Sequence, residues 1–337
     1  MTIDAARLHA DALVIDTHSD AFADLANHRW SGRPGRLAQK HIPDWRAGGV
    51  NAIVTTLYTE PEFKPDRALR RAMAQLGAAL AELDETPDAR LCKTRRELEA
   101  AAAEGKLALI LAMEGAEPIQ DEPASLRVFY ELGLRILGLT WNQRNLLAEG
   151  IGEERAGGGI TERGREVIAE CNRLGILLDV SHLSTRAFWD MLEASEAPVI
   201  ASHSNALALC SHPRNLSDDQ IKALAEKGGV IGINGVAMFI NDDPHKANLA
   251  GMLDHLDHVA NLVGVEHVAL GPDFVDYMRD DPASFASNEP IPYPEGFENI
   301  TRMPNVTAGL IERGYDEAQI RGILGLNFLR VFEQVCG

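Results

Sequence analysis

A barrel of eight alternating strands and helices, the (β/α)8 or TIM barrel of the α/β class, is the fold that this sequence predicts. Eight short apolar runs are separated, for the most part, by amphipathic stretches of helical length, and this alternation is typical of a parallel sheet. The runs are almost continuously hydrophobic, as in ALILAM and ILLDV, which indicates strands buried on both faces. A doubly wound open sheet is the alternative, but no GxGxxG motif follows an early strand.

The predicted elements follow one another along the whole chain. Strands are predicted near residues 12–16, 50–57, 107–113, 134–139, 176–180, 198–202, 229–234 and 266–271. Helices are predicted at 65–85, 162–175 and 217–229, with two terminal helices at 299–313 and 316–335 closing the fold. Helix C-caps in the left-handed conformation are predicted at Gly105, Gly133, Gly175 and Gly228. Ser217, followed by two aspartates, is a predicted helix N-cap.

Two connections are too long for simple turns. Residues 21–46 follow the first strand and residues 274–298 follow the eighth, and long loops on the catalytic face of a barrel commonly shape or cover the pocket. The sequence contains neither an internal repeat nor a linker between two domains. We therefore expect a single barrel domain spanning residues 1–337.

Composition disfavours several classes of partner. The 32 basic and 50 acidic residues give a formal net charge of −18, which would repel nucleic-acid phosphates and anionic lipid surfaces. The four cysteines are scattered and form no CxxC pair, which favours a reducing compartment over a disulfide framework. The N-terminus does not resemble a signal peptide, and no segment approaches the ~18 apolar residues of a membrane span. A cytoplasmic protein with neither nucleic acid nor membrane as a partner is expected.

Metal-ligand residue types end several of the predicted strands. In VIDTHSD, His18 and Asp20 are two residues apart, so an extended backbone points both side chains the same way. Glu114 ends the apolar run LALILAME, where a buried carboxylate is costly unless it is paired or bound to a metal. The structural alternatives are a turn motif at His18 and Asp20, and a salt bridge between Glu114 and an arginine.

Two histidines and an aspartate end later strands. His182 in ILLDVSHLS and His203 in PVIASHSNA follow neighbouring strands, and such a pair favours a metal such as zinc over a packing role. Asp273 in ALGPDFVD is a further ligand, an acid/base group for the proton of a metal-bound water, or a plain turn residue. The other histidines are expected on the surface or in packing. Together the strand ends predict metal-assisted hydrolysis at a two-metal site.

These motifs, in this order, resemble the membrane (renal) dipeptidase family, zinc dipeptidases of the amidohydrolase-like barrel class. The resemblance rests on DTHSD, MEGAE, DVSH, HSNA and GPDF. Arg214 and Asn215 begin eleven residues after His203, which matches the family's spacing, and EGFEN, GYDEAQI and ILGLNFLRVF resemble its closing segment. By composition alone, Arg214 would be ranked as a surface charge.

The resemblance implies a metal centre with two Zn²⁺ ions. His18 and Asp20 would bind one ion, His182 and His203 the other, and Glu114 would bridge both as a ligand and a catalytic group. Two ions that share a water lower its pKa toward neutrality, so a bridging hydroxide would attack the peptide carbonyl.

The resemblance also implies how the substrate is handled. Asp273 would manage the proton of the attacking water, and Arg214 would hold the C-terminal carboxylate of a dipeptide. Asn215 and Trp141 are further candidates for substrate binding. A C-terminal D-residue would be tolerated, and the protein would form a homodimer.

The chain departs from the family's pattern at two places. Trp141, in LTWNQRN, stands where the family often has a histidine near the substrate oxyanion. An indole donates one hydrogen bond but cannot become cationic, so oxyanion stabilisation must differ here. Val275 and Asp276 replace the family's Asp-Gly after the GPDF segment, which predicts a change in substrate preference.

The sequence is also compatible with two rival functions. An amidohydrolase acting on another amide, ester or lactone would use the same metals with a different substrate anchor. A metal-binding barrel that no longer catalyses would instead bind a ligand or partner. Trp141 favours this second rival, whereas the retention of both Glu114 and Asp273 argues against it.

Overall fold

Parallel strands curl into a barrel in the computed structural model, which describes residues 3–279 and 292–337. The strands are β1 Ile15–Ser19, β2 Ala52–Tyr58, β3 Ala89–Leu91, β4 Leu107–Glu114, β5 Leu134–Gly138, β6 Leu177–Asp179, β7 Val199–Ile200, β8 Ile231–Ile233 and β9 Val268–Leu270. They pair in the order β1-β2-β4-β5-β6-β7, with β8 paired to β9. A parallel bridge between Ala201 and Ile231 joins β7 to β8, and Thr17 Oγ1 of β1 donates to Leu270 O of β9 at 3.0 Å. The predicted TIM-type barrel of the α/β class is confirmed.

All eight predicted strands are present, and the structure adds one. The additional strand, β3, pairs only with β4 and lies off the path of the barrel. It has three residues, two of which are half-buried, so it lacks the apolar run by which the barrel strands are recognised. β1 begins three residues later than predicted.

Helices connect the strands along the outside of the barrel. They are α1 Ala5–Asp11, α2 Ala21–Trp30, α3 Ile42–Ala47, α4 Ala68–Glu85, α5 Arg95–Ala103, α6 Ser125–Leu132, α7 Glu162–Leu174, α8 Thr185–Ala194, α9 Asp218–Glu226, α10 Ala237–Ile240, α11 Leu249–Val263, α12 Asp276–Arg279, α13 Met303–Glu312, α14 Glu317–Arg321 and α15 Asn327–Cys336. Ser217 caps α9 through a reciprocal capping box with Gln220. The four glycines predicted to follow helices all have positive φ.

The prediction of a long loop at 21–46 is wrong. This segment contains α2, a π-helical turn at Leu37–His41, and α3. Seven of the ten residues of α2 are buried, so the helix lacks the polar face that produces a 3.6-residue pattern in the sequence. The second predicted loop, 274–298, includes the short helix α12, and its residues 280–291 lie outside the described part of the chain.

The C-terminal helices close the barrel at the end opposite the metal-ligand residues. Phe328 and Phe332 of α15 belong to the same buried cluster as Ile15, Val54 and Ile110 of the strands. The C-terminal segment predicted to be helical contains α13, α14 and α15. Among the described residues, no helix has the length and apolar character needed to cross a membrane.

Candidate metal centre

The predicted metal ligands converge at one end of the barrel. His18 lies within β1, Glu114 is the last residue of β4, and His203 follows β7 by three residues. Asp20 and His182 reach the same place from the segments after β1 and β6, and all five are buried. The carboxyl ends of parallel barrel strands open onto one face, so residues far apart in the chain meet there. These five residues and Asp273 are called the metal-ligand cluster below.

The Glu114 carboxylate lies in the middle of the cluster. Its Oε1 is 2.9 Å from His182 Nε2 and 3.6 Å from His203 Nε2, and its Oε2 is 3.7 Å from His18 Nε2. Within residues 3–279 and 292–337, neither lysine nor arginine forms an ion pair with Glu114. The alternative of a salt bridge to arginine is therefore not found, and histidines from three strands face this carboxylate instead.

His18 is surrounded by carboxylate oxygens at similar distances. Its Nε2 is 3.9 Å from Asp20 Oδ1, 3.7 Å from Glu114 Oε2 and 3.8 Å from Asp273 Oδ1. These separations are too long for hydrogen bonds. They are close to the spacing of about 3.4 Å between two ligands on one tetrahedral ion with bonds of about 2.1 Å. His18 accordingly belongs to two groups of possible ligands, one with Glu114 and His203 and one with Asp20 and Asp273.

The protonation of His182 and His203 follows from their other ring nitrogens. His182 Nδ1 is 2.8 Å from Asn142 Oδ1, an atom that only accepts, so His182 Nδ1 donates. His203 Nδ1 is 2.7 Å from Ser202 Oγ, which donates its own proton to Asp179, so His203 Nδ1 also donates. Both Nε2 atoms therefore present lone pairs, and these atoms are 2.8 Å apart. Two facing lone pairs repel each other unless a cation binds them, so the donor set fits a metal ion.

Burial keeps the three imidazoles neutral. It is the largest cause that lowers the pKa of His18, to about 3, and the charge of Arg214 adds to it. The pKa values of His182 and His203 are also well below the ordinary value, because of burial first and neighbouring positive groups second. A neutral imidazole is the form that binds a metal ion.

The carboxyl groups of the cluster have the opposite shift. Burial is the main cause that raises the pKa of Asp20 to about 6 and that of Asp273 to about 8. Burial, followed by the charges of Asp20 and Asp273, raises the pKa of Glu114 well above its usual range. Three carboxylates thus converge without enough positive charge to stabilise their ionised forms, and a bound cation would supply that charge.

Two members of the cluster have backbone angles that side-chain-bearing residues rarely adopt. The φ angle is 71° at His182 and 59° at Asp273. Left-handed backbone of this kind costs about 1–2 kcal/mol for a residue other than glycine. Such outliers are concentrated at functional sites, where the surrounding structure holds them in place.

Arg214 lies at the same end of the barrel and is buried. Its Nη2 donates to His203 O at 3.1 Å, and its guanidinium is 5.7 Å from the centre of the Phe239 ring. Its Nε is buried and has no hydrogen-bond partner in the described part of the chain. Burial lowers the pKa of Arg214, while the charges of Asp273 and Glu114 oppose that shift. The structure therefore places a buried cation with unused donors beside the cluster, which composition alone did not indicate.

The two remaining candidates differ in their distance from the cluster. The Trp141 ring centre is 5.9 Å from that of His182, so Trp141 borders the cluster. Asn215 Nδ2 donates to Cys210 O at 3.0 Å and to Phe239 O at 2.9 Å, which ties together the loops after β7 and β8. A substrate contact for Asn215 stays a prediction.

Sequence reasoning missed the residues that orient the cluster. Thr56 donates to Asp20 Oδ1, and Asn234 Nδ2 donates to Asp273 Oδ2 at 3.2 Å. Asn142 and Ser202 fix the two histidine rings, as described above. Asn234 directly follows β8. Inspection of every strand end, rather than only those with metal-ligand residue types, would have found it.

A barrel hydrolase with a metal centre at the carboxyl ends of its strands is the class of protein that this fold and site define. A family model described as membrane dipeptidase, peptidase family M19, matches residues 3–336. The chain belongs to that family, and it is therefore a metallo-dipeptidase, a hydrolase acting on peptide bonds.

Individual relatives agree with this assignment. Dipeptidase tcpJ of Claviceps purpurea (strain 20.1) is 34% identical over 232 residues, which are 68% of this chain and 52% of that protein. The crystal structure of dipeptidase AC, a metallopeptidase of family M19, has 30% identity and a TM-score of 0.85, and covers 97% of this chain and 99% of that chain. A metallopeptidase from Rhodobacter sphaeroides, liganded with a phosphinate mimic of the dipeptide L-Ala-D-Ala, has 29% identity and a TM-score of 0.84, and covers 96% of this chain and 100% of that chain.

Proposed function

We propose that this chain is a binuclear zinc dipeptidase that accepts a D-residue at the C-terminal position of its substrate. The observation that carries the proposal is the Glu114 carboxylate, which lies between His182, His203 and His18 at 2.9, 3.6 and 3.7 Å. One carboxylate that faces ligands on both of its oxygens is suited to bridging two ions. Imidazole and carboxylate ligands favour zinc among the common divalent ions.

Each ligand has a place in this arrangement. His18 and Asp20 would hold one ion, His182 and His203 the other, and Glu114 would contact both. When bound, the two ions would supply a water of lowered pKa and polarise the substrate carbonyl. The hydrogen bonds from the Nδ1 atoms of His182 and His203 fix the two rings so that each Nε2 would be free to bind an ion.

Asp273 is the proposed proton carrier. Asn234 holds its Oδ2, which leaves Oδ1 on the side of His18, 3.8 Å from Nε2. A carboxylate in this position can accept a proton at Oδ1 from the attacking water and deliver it to the leaving amine.

Arg214 is the proposed anchor for the substrate's C-terminal carboxylate. A guanidinium pairs with a carboxylate through two parallel hydrogen bonds, and a buried site strengthens that pair. An anchor beside the metal centre restricts the substrate to very short peptides. The proposed tolerance of a D-residue is supported by the Rhodobacter sphaeroides relative, whose ligand mimics L-Ala-D-Ala.

Metal analysis and a dipeptide panel test the proposal together. Protein expressed with ample zinc should contain about two zinc ions per chain, and it should cleave both L-Ala-D-Ala and L-Ala-L-Ala. A trace of metal only would overturn the binuclear site. Full metal loading without cleavage of any dipeptide would favour an amidohydrolase with another substrate, or a barrel that only binds metal.

The Arg214→Met variant tests the anchor separately. Removing one partner of a desolvated charge pair costs about 2–5 kcal/mol, so kcat/KM for a free-acid dipeptide should fall by about 30- to 5,000-fold. The same dipeptide with an amidated C-terminus should be affected little. If the wild type cleaves the amidated and free-acid forms equally well, Arg214 does not bind the carboxylate.

A further inference from the structure

A second buried cation borders the metal-ligand cluster, on the side away from Arg214. Lys64 is in the loop after β2, its side chain is 10% exposed, and its Nζ is 3.0 Å from Glu117 Oε1. Glu117 follows β4, and its side chain is 2% exposed. Lys64 Nζ also lies 5.4 Å from the centre of the Trp141 ring and 5.8 Å from that of Tyr58. The ammonium group is thus held among residues that follow three adjacent strands, β2, β4 and β5.

The position of these rings brings Lys64 close to the metal ligands. Tyr58 ends β2 opposite Glu114 in the strand register, and the Trp141 ring centre is 5.9 Å from that of His182. Lys64 is also among the charges that lower the pKa of His182, after burial, Arg214 and His18. Lys64 therefore lies within electrostatic range of the place where the substrate is cleaved.

The hydrogen-bonding capacity of Lys64 is only partly used. Its Nζ donates to Gln143 Oε1 at a long 3.4 Å. The contact with Glu117 is an ion pair without hydrogen-bond geometry, since neither Glu117 oxygen accepts a hydrogen bond within the described residues. Glu117 Oε2 lies against Gly115, in the space that a Cβ on Gly115 would occupy. Lys64 therefore retains donors for an additional acceptor beside its ion pair with Glu117.

The two buried cations lie on opposite sides of the barrel mouth. Lys64 and its neighbours follow β2, β4 and β5, whereas Arg214 contacts residues that follow β7 and β8. In a closed barrel of eight strands these two groups face each other across the centre. If Arg214 holds the C-terminal carboxylate of a dipeptide, the side chain of the N-terminal residue extends toward the side where Lys64 lies.

We infer that Lys64 is a specificity-determining residue, which selects dipeptides whose N-terminal residue carries a side-chain carboxylate. This inference rests on the proposed dipeptidase function and names the substrate class of the same site. Trp141 and Tyr58 form the walls against which the aliphatic part of such a side chain packs, and Lys64 pairs with its charge at the far end. A glutamate-type side chain therefore gains an interaction that its neutral amide analogue lacks.

The test compares two nearly isosteric substrates, L-Glu-L-Ala and L-Gln-L-Ala, with the zinc-loaded full chain. A charge-assisted hydrogen bond in a largely buried place should favour L-Glu-L-Ala by about 5- to 30-fold in kcat/KM. The difference should lie mainly in KM, since the contact is remote from the cleaved bond. Dissociation constants of phosphinate mimics of the two dipeptides should differ by the same factor, which provides a readout independent of turnover.

Variants at Lys64 then assign the preference to its charge. In Lys64→Met the ratio between the two substrates should fall to about one or below, with L-Gln-L-Ala cleaved within about threefold of the wild-type rate. Lys64→Arg should retain the preference. Lys106→Met is the matched control, because Lys106 lies at the opposite end of β4 and its removal changes the net charge equally. The control should leave the ratio unchanged.

Variants at Glu117 test two points: whether loss of the preference results from misfolding, and whether the charge of Glu117 weakens the preference. Lys64→Met leaves Glu117 buried without its cation, so the double variant Lys64→Met/Glu117→Gln removes both charges and should fold while still lacking the preference. Glu117→Gln alone removes a competitor for Lys64 and should increase the preference for L-Glu-L-Ala.

The outcomes separate this inference from the function on which it rests. Cleavage of both substrates with a ratio near one in the wild type, or a ratio that Lys64→Met does not change, overturns the role of Lys64 and leaves the dipeptidase proposal intact. Cleavage of neither substrate by zinc-loaded protein overturns both.

Discussion

Two buried clusters contain carboxylates that are close together in the chain, at Asp24 and at Asp20, but these carboxylates have different partners. Asp24, on α2, accepts hydrogen bonds from His41 Nε2 and Arg36 Nε, both at 2.8 Å. Burial raises its pKa, but the hydrogen bonds and charges of His41 and Arg36 outweigh burial, so the net shift is downward. These three residues are called the Asp24 cluster. In the metal-ligand cluster, whose member Asp20 is four residues before Asp24, the pKa values of the carboxyl groups are raised instead.

This difference shows which buried carboxylates are balanced by cationic groups of the chain itself. The Asp24 cluster contains its own cation, Arg36, and two donors to Asp24 Oδ2, while Oδ1 accepts no hydrogen bond from the described residues and lies 3.6 Å from His28 Nε2. Its negative charge is therefore balanced without an added cation. The metal-ligand cluster directs carboxylate oxygens and imidazole lone pairs at one another. Removing one partner from the first arrangement leaves an uncompensated buried charge, whereas the second arrangement costs stability until a cation binds. Matched carboxyl-to-amide substitutions in the two clusters should therefore have opposite consequences.

The largest effect is expected for Glu114→Gln. The amide keeps the shape of the side chain but removes the charge that faces three histidines, so at least one metal should bind more weakly and turnover should fall by several orders of magnitude. Metal content by mass spectrometry and kcat/KM on a cleaved dipeptide measure both effects. Near-normal activity would identify Glu114 as a structural carboxylate.

A smaller loss is expected for Asp273→Asn. Both metals should stay bound, and kcat should fall by about 10²- to 10⁴-fold, the usual range for loss of a general acid/base. Metal content and kcat are compared on the same preparation. Loss of metal in proportion to activity would show that Asp273 is a ligand rather than a proton carrier.

Asp24→Asn is the matched substitution in the Asp24 cluster. Removing the carboxylate leaves Arg36 without its counter-charge and takes away the oxygen that accepts from His41 Nε2, which should lower the free energy of unfolding by about 3–5 kcal/mol. Denaturant unfolding measures the loss. Metal content and activity per folded molecule should be retained, and parallel loss of zinc would contradict the separation of the two clusters.

The smallest expected effect is a pH dependence of the metal-free protein. Asp273, with a pKa of about 8, retains a proton in the folded state that the unfolded chain has lost above its ordinary pKa near 4. Folding stability from this group therefore falls as pH rises toward 8. The histidines have lowered pKa values, so their contribution rises with pH, but it is complete above about 6.5.

Between pH 6.5 and 8, then, the metal-free protein should lose stability at up to about 1.4 kcal/mol per pH unit for each such proton. Thermal unfolding across this range, with and without zinc, measures the slope. The zinc-loaded protein should show no decline, and Asp273→Asn should flatten the decline in metal-free protein. Equal slopes with and without zinc would mean that the cluster's carboxyl groups do not respond to a cation.

The sequence predicted the barrel well because its signals are local. Each strand is a short apolar run, and each helix C-cap glycine or N-cap serine acts on its immediate neighbours. The helix α2 was not predicted because it is buried on most sides, so its sequence lacks the alternation of apolar and polar faces that identifies a helix. The strand β3 escaped because it is short and lies outside the barrel.

The residue types of the metal-ligand cluster were also visible in the sequence, since His18, Glu114, His182 and His203 each end a predicted strand or follow one closely. The distances between these residues could not be predicted from the sequence. Nor could the directions of the imidazole lone pairs of His182 and His203, because they depend on contacts with Asn142 and Ser202.

The sequence by itself determined the order of the strands and the chemistry delivered at their ends, because hydrophobic periodicity and strand termination depend on neighbouring residues. Only the tertiary structure decided which buried charged groups have a partner of opposite charge. Asp24 meets Arg36 and His41 because the connection between β1 and β2 folds back on itself. Lys64 meets Glu117 because β2 and β4 pair side by side. The free energy of a buried charge depends on everything that surrounds it in space, and the local sequence does not contain that information.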